Sequence, residues 1–335
     1  MRPESRSGRG EWKGFAEMDN QRMAEALRRT LGLRWSPVAL RLLKRGEEIP
    51  KGLVEPPMPL RHCQSIIVAR RGNSLYLPPR KHACPDGAGI LGLVEMSPKL
   101  RSGELYLLFK KLPNLECARK MIAGRPEFAP GSYAATALAP LETAAFVPDV
   151  VIFTLWPEQA MWLCCAQTYT SGERQVFYTS GYNSTCADLT VKVMQSGKMN
   201  ISFGCYGARA SSEIDDFELY VSVPYGMLPL LVEALEKLAL KSIPEERNKI
   251  YIHPVMDNVS KPSEEASGAV ELEVNWEACD GCGLCQAFCP GNVFEMKTVN
   301  RAKKAYPAFV ERCSACYTCV GQCPHKAIQL RHRGV

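Results

Sequence analysis

Two cysteine runs near the C-terminal end, CDGCGLCQAFCP from Cys279 to Pro290 and CSACYTCVGQCP from Cys313 to Pro324, carry the plainest chemistry in the sequence. Each sets three thiols at every third residue and a fourth just ahead of a proline. Zinc takes its four ligands as spaced C-x2-C pairs, whereas each run here holds four cysteines within eleven residues. The pattern is that of cubane iron–sulfur clusters, whose chemistry is one-electron transfer. A loop offering sulfurs this densely must curl with its amides inward, where they stabilise an anionic cluster. Gly281 and Gly283 allow that curl because glycine reaches positive φ without steric cost. Pro290 and Pro324 fix the chain as it leaves each loop.

Residues from about 271 to 330 resemble a bacterial-type two-cluster 4Fe-4S ferredoxin domain, through both runs, the strand-like entries ELEVNW and YPAFVE, and the exit HKAIQL. The resemblance implies two 4Fe-4S clusters with crossed ligands. One is held by Cys279, Cys282, Cys285 and Cys323, the other by Cys313, Cys316, Cys319 and Cys289. It also implies electron exchange with an external donor or acceptor protein, and no chemistry on a substrate.

Seven of the fifteen cysteines remain: Cys63, Cys84, Cys117, Cys164, Cys165, Cys186 and Cys205. Cys117, Cys164 and Cys165 fall in expected helices among apolar neighbours and read as packing. Cys63, Cys84 and Cys186 lie at or near expected helix starts, where the macrodipole favours a thiolate. Cys205 lies in the glycine-flanked turn FGCYGAR, where backbone can approach a ligand closely. Several readings stay open for these four: ligands of a third cluster, three ligands leaving an open iron for substrate, one nucleophile, or small residues at tight helix starts. Asp188 and Arg209 lie beside two of them, and His62 and His82 flank two others, as further ligands or proton carriers. Arg61, Lys81 and Arg209 are candidate clamps for an anionic substrate. No G-x-G-x-x-G after a strand, P-loop or H-E-x-x-H is present, so nucleotide binding has no support.

The elements that must position these residues are legible in part. DNQRMAEALRRTLGL predicts a helix capped by Asp19 or Asn20, with Met23, Leu27 and Leu31 on one face and Gly32 as its stop. SPVALRLL predicts a strand. The segment from Arg61 to Glu95 predicts helix, short strand, loop and second helix, with Cys84 as N-cap ahead of Pro85. ELYLLFKKL reads as a strand, LECARKMIAG as a helix and AATALAPLETAAF as a strand. PDVVIFTL reads as a strand buried on both faces, and PEQAMWLCCAQTYTSGE as a helix ending near Gly172. RQVFYTS reads as extended, STCADLTVKVMQSG as a helix capped by Ser184, and MNISFGCYGARA as a strand entering a turn. FELYVSVP is a last strand before the amphipathic helix GMLPLLVEALEKLALKS, whose Leu228, Leu231, Leu235 and Leu238 face inward. Segments 37–93 and 150–196 also look like copies of one unit, aligned on Gly72 and Gly172, with Cys84 matched to Cys186. The order predicts a mixed α/β or α+β fold: a two-lobed α/β domain with an internal repeat, then a small ferredoxin-like α+β domain. The expected division is a basic tail at 1–18, a first domain at 19–243, a linker at 244–270 and the two-cluster domain at 271–335.

Residues from about 20 to 240 resemble the prokaryotic family called domain of unknown function 169, through SPVALRLL, RHCQ, ACPDGAGILGL, APLETAAFVPDVV, STCADL and FGCYGAR. The resemblance implies a fold and a cysteine-centred site, and no reaction.

A net charge of +6, carried partly by the Arg-bearing tail, comes without aromatic–basic interleaving, so no nucleic-acid partner is expected. MRPESRSGRGEWKGF has no apolar signal core, and no run reaches the ~18 uncharged apolar residues of a membrane span. Free thiols in such number fit a reducing cytoplasm and an anaerobic or microaerobic host. The expected function is an iron–sulfur oxidoreductase. In it the ferredoxin module feeds a cysteine-lined site, with a third 4Fe-4S cluster as one form, for reduction of a small molecule. The alternatives are an electron-carrier adaptor whose first domain binds a partner protein, and an iron or redox sensor.

Overall fold

A computed structural model describes residues 19–239 and 270–332. The expected tail at 1–18 and all but the last residue of the expected linker at 244–270 lie outside the described residues. The chain divides into two compact units between Lys237 and Leu238.

The first unit opens with α1 (Asn20–Leu31), where the Asp19 side chain accepts from Arg22 N and Gly32 closes the helix at φ 62°. Met23, Leu27 and Leu31 are buried, as the spacing predicts. The core is one antiparallel six-stranded sheet of β1 (Val38–Leu43), β2 (Leu75–Leu77), β3 (Ala135–Pro140), β4 (Val150–Leu155), β5 (Asn200–Ser202) and β6 (Leu219–Pro224), in the order β2-β3-β1-β4-β6-β5. Every residue of β3 and all but Thr154 of β4 are buried, which is why their sequences run apolar without alternation.

That strand order is symmetric about the β1–β4 pair. In the first half β1 leads to α2 (His62–Arg70), β2, α3 (Pro85–Ile90) and finally β3, which inserts between β1 and β2. In the second half β4 leads through α7 (Pro157–Ser171) to a π-helical segment, Ser184–Val191, that continues as α8 (Lys192–Ser196). Then come β5, α9 (Tyr206–Ser211) and β6, which inserts between β4 and β5. The repeat is therefore real in topology, but its register differs from the one expected. Cys63 opens the helix before β2 as Cys186 opens the helix before β5, and Cys84 caps α3 as Cys205 caps α9. Gly172, used as an anchor in the sequence, is only the left-handed stop of α7.

Three local expectations fail for physical reasons. ELYLLFKKL is helical: α4 (Pro98–Ser102) and α5 (Glu104–Leu108) meet at Gly103, φ 87°. Tyr106 is buried there while Leu108 and Phe109 face solvent, the one-sided burial of a short helix. RQVFYTS joins no sheet, because the Asn200 side chain bonds both Tyr178 N and Tyr178 O at 2.8 Å and takes the place of a ladder. STCADL is π-wound and capped by Asn183 at φ 53°, not by Ser184. LECARKMIAG is helical as expected, as α6 (Leu115–Ala123), and α10 (Leu228–Ala239) buries Leu228, Leu231 and Leu235.

The second unit pairs β7 (Val270–Val274) with β10 (Ile328–His332), and β8 (Phe294–Val299) with β9 (Ala302–Pro307). The β8–β9 hairpin turns through Asn300 and Arg301, both at positive φ, which suits the twist of a tight hairpin. Two short helices, α11 (Leu284–Ala287) and α12 (Thr318–Gln322), each follow a cysteine loop.

Candidate metal centres

In the second unit the cysteines ring two cavities. One is lined by Cys279, Cys282, Cys285 and Cys323, the other by Cys289, Cys313, Cys316 and Cys319. Each cavity takes three sulfurs from one run and the fourth from the other. The fourth cysteines are set alike, Cys289 Sγ accepting from Val293 N at 3.4 Å and Cys323 Sγ from Ala327 N at 3.3 Å. Gly281 sits at φ 77°, where a Cβ would come within 2.1 Å of Lys303 O. No side chain fits there. The second loop reaches the matching left-handed turns with Ala315 and Tyr317, at φ 53° and 56°. The donor set and the enclosed shape of both cavities fit cubane clusters.

The first unit brings Cys63, Cys84, Cys186 and Cys205 together. Their proximity shows in what ionisation would meet: a thiolate at Cys63 or Cys186 would be opposed by charge on Cys84 and Cys205, and one at Cys84 by charge on Cys205. Cys84 and Cys205 are matching N-caps, each accepting at 3.4 Å from the third amide of its helix, Gly87 N and Ala208 N. Nothing in FGCYGAR announces Cys205 as a cap, since no proline marks the first turn. Cys186 Sγ donates to Asn183 O at 3.4 Å across the π-helical start.

Glycines lie against the sulfurs. A Cβ on Gly87 would lie 3.7 Å from Cys84 Sγ and 3.9 Å from Cys186 Sγ, and one on Gly207 3.9 Å from Cys205 Sγ. Among the described residues no three His, Cys, Asp or Glu side chains close tightly enough to hold a single ion.

Burial overrides the helix ends. It pushes Cys63 up to about 12, raises Cys84, and holds Cys186 well above the usual thiol range, with the neighbouring cysteines adding to each shift. The thiolates expected at these helix starts are thus neutral thiols in the metal-free chain. A thiol held protonated is a poor nucleophile, but it still binds metal by releasing its proton.

The flanking residues have distinct placements. Burial keeps His62 near 3 and His82 near 4, so both are neutral, and their rings stack with centroids 6.3 Å apart. His62 Nε2 meets Thr190 Oγ1 at 3.1 Å, while its buried Nδ1 has no partner. Asp188 is buried, accepts from Thr179 Oγ1 at 2.9 Å, and is pushed up to about 7 by burial against the pull of its hydrogen bonds. The three basic candidates separate cleanly. Arg209 donates to the carbonyls of Phe203, Asp215 and Glu218, a structural brace. Lys81 engages Glu55 and Pro57 O. Arg61 faces the cysteines, its charge easing the ionisation of Cys63 and Cys84.

Sequence reasoning missed Asp86, which ties the site together. Its carboxylate accepts from Tyr106 Oη at 2.5 Å, Arg125 Nη1 at 3.1 Å and Asn183 Nδ2 at 2.9 Å. The helix capped by Cys84 is thereby fastened to the residue that starts the Cys186 segment. Cys117, Cys164 and Cys165 are half-buried on α6 and α7, less enclosed than packing residues were expected to be.

A family model described as Uncharacterised ArCR, DUF169, matches residues 26–234, and one described as a 4Fe-4S dicluster domain matches residues 278–327. The uncharacterized protein MJ0308 of Methanocaldococcus jannaschii is 35% identical over 201 residues, covering 59% of this chain and 86% of that protein. The uncharacterized ferredoxin MJ0722 of the same organism is 42% identical over 64 residues, 19% of this chain and 80% of that ferredoxin. No solved structure matches.

Proposed function

We propose, from the premise that this chain belongs to the DUF169 family, that its 4Fe-4S dicluster domain supplies single electrons to a third cluster held in the family domain by Cys63, Cys84, Cys186 and Cys205, where a small molecule is reduced. The dicluster domain itself gives the protein an iron–sulfur electron-transfer role. The observation that supports the rest is convergence: four cysteines spread from position 63 to 205, two from each half of the repeat, lie close enough to bear on one another's ionisation, beside Gly87 and Gly207.

The residues divide the work. Cys279, Cys282, Cys285 and Cys323 hold one cluster of the dicluster domain, and Cys289, Cys313, Cys316 and Cys319 the other. A 4Fe-4S cluster, when bound, supplies one-electron transfer. In the family domain the four thiols give up their protons on metal uptake, which makes loading steeply pH-dependent. Asp86, Tyr106, Arg125 and Asn183 hold the helix of Cys84 and the segment of Cys186 in register. The His62–His82 pair, next to Cys63 and two residues before Cys84 in the chain, is neutral and adds no charge there. Carrying both parts on one chain raises the effective concentration of electron source at its acceptor. An external carrier protein is the donor that a two-cluster domain of this kind fits.

Cys186→Ser in the full chain, reconstituted anaerobically and reduced with dithionite, should remove one paramagnetic species and leave the dicluster signals intact. An unchanged spectrum refutes Cys186 as a ligand and returns the first unit to an adaptor or sensor role.

A further inference from the structure

The two halves of the repeat bury their cysteines unequally along the chain but equally across the symmetry. The first cysteine of each pair is enclosed, Cys63 at 6% exposure and Cys186 at 7%, while the second, Cys84 and Cys205, is partly open. One edge of the site is therefore accessible, and it is the edge formed by the two N-caps. Arg61 reaches this edge: its Nη1 lies 3.0 Å from where a Cβ on Gly207 would be, on the same glycine that leaves Cys205 uncovered.

Arg61 is exposed, and its guanidinium is not tied down as those of the more enclosed arginines of the same unit are. Arg70 is paired with Glu218 at 2.7 Å, Arg125 with Asp86 at 3.1 Å and Glu127 at 2.9 Å, and Arg209 is held by three carbonyls. Arg61 makes no ion pair among the described residues. The corresponding residue of the second half, two positions before its cysteine, is Ser184, whose Oγ is occupied by Cys205 N at 2.8 Å. The repeat thus gives the site a cation on one side only. Beside the same edge Tyr206 is 73% exposed, with Lys111 Nζ 5.3 Å from its ring centroid.

We propose that the open Cys84–Cys205 edge takes a small oxyanion, a carboxylate or phosphate group, in the fork of Arg61, with Tyr206 and Lys111 at the rim. This rests on reading the four cysteines as a cluster site. Guanidinium matches the planar geometry of such groups bidentately, and it lies beside the part of the site a substrate can reach.

The test is a titration of the full-length, anaerobically reconstituted and reduced chain with inorganic phosphate and, separately, acetate. It follows the paramagnetic signal that Cys186→Ser abolishes. At least one anion should change that signal saturably, with half-saturation raised tenfold or more in Arg61→Ala and by a smaller factor in Arg61→Lys, which keeps the charge but loses the fork. A flat titration in a wild-type chain carrying about twelve irons overturns the anion site, as does an Arg61→Ala chain with unchanged half-saturation. An Arg61→Ala chain that no longer takes up its third set of irons also overturns it, and assigns the guanidinium to offsetting the cluster's own charge. About eight irons in the wild type, by contrast, sinks the underlying cluster reading.

Discussion

At the scale of single residues, Gly87 separates a cluster site from a packing accident. It lies inside α3, where alanine is the better helix former by roughly 0.5–1 kcal/mol, and a methyl there meets the two nearest sulfurs at ordinary contact distances. Gly87→Ala should therefore leave the metal-free chain as stable as the wild type or slightly more so, while lowering iron uptake at the four-cysteine site. Thermal unfolding of the metal-free protein and iron content of the reconstituted protein read the two effects separately. Parallel losses would mean that Gly87 serves folding alone. Residue types were legible where backbone demands a unique answer, as at Gly281. They were not where the chain tolerates strain, as at Ala315 and Tyr317. The ionisation of Cys63, Cys84 and Cys186 was misread because burial outweighs the dipoles of the short helices they open. Cys63 and Cys186 are enclosed by core side chains distant in sequence, and no local pattern shows that.

Among the elements, long apolar or amphipathic segments were the readable ones. α1, β1, β4 and α10 carry their periods and caps openly. Short elements owe their form to partners far along the chain. The π-helical segment is held by Thr190 Oγ1 donating to Thr185 O, five residues back, at 2.8 Å, and by the Asp86 carboxylate acting through Asn183. Such windings recur at functional sites, but their sequence is that of an ordinary helix. The link between α2 and β6 is the buried pair of Arg70 and Glu218, with Thr154 Oγ1 and the Trp35 ring also on the guanidinium. Glu218→Ala strands that charge in the core and should cost about 3–5 kcal/mol, measured by denaturant unfolding of the metal-free chain. A loss below 1 kcal/mol would show that water reaches Arg70. Because α2 carries Cys63, the same variant should loosen the site.

For the molecule as a whole, the duplicated topology explains why four cysteines with no common spacing motif meet at all. A strand order symmetric about β1 and β4 places the helix starts of one half opposite those of the other. Each half then contributes one enclosed and one open sulfur. The sequence suggested a repeat but aligned Cys84 with Cys186, because a glycine turn is a weaker anchor than the order of strands in a sheet. The two-cluster module needed no such help, since all its ligands lie in two short runs. The most direct measurement of a third cluster is iron and acid-labile sulfide per chain after anaerobic reconstitution, comparing the wild type with Cys84→Ser/Cys186→Ser/Cys205→Ser. About twelve irons should fall to about eight, with the dicluster spectrum preserved; about eight in both proteins would contradict a third cluster in the family domain.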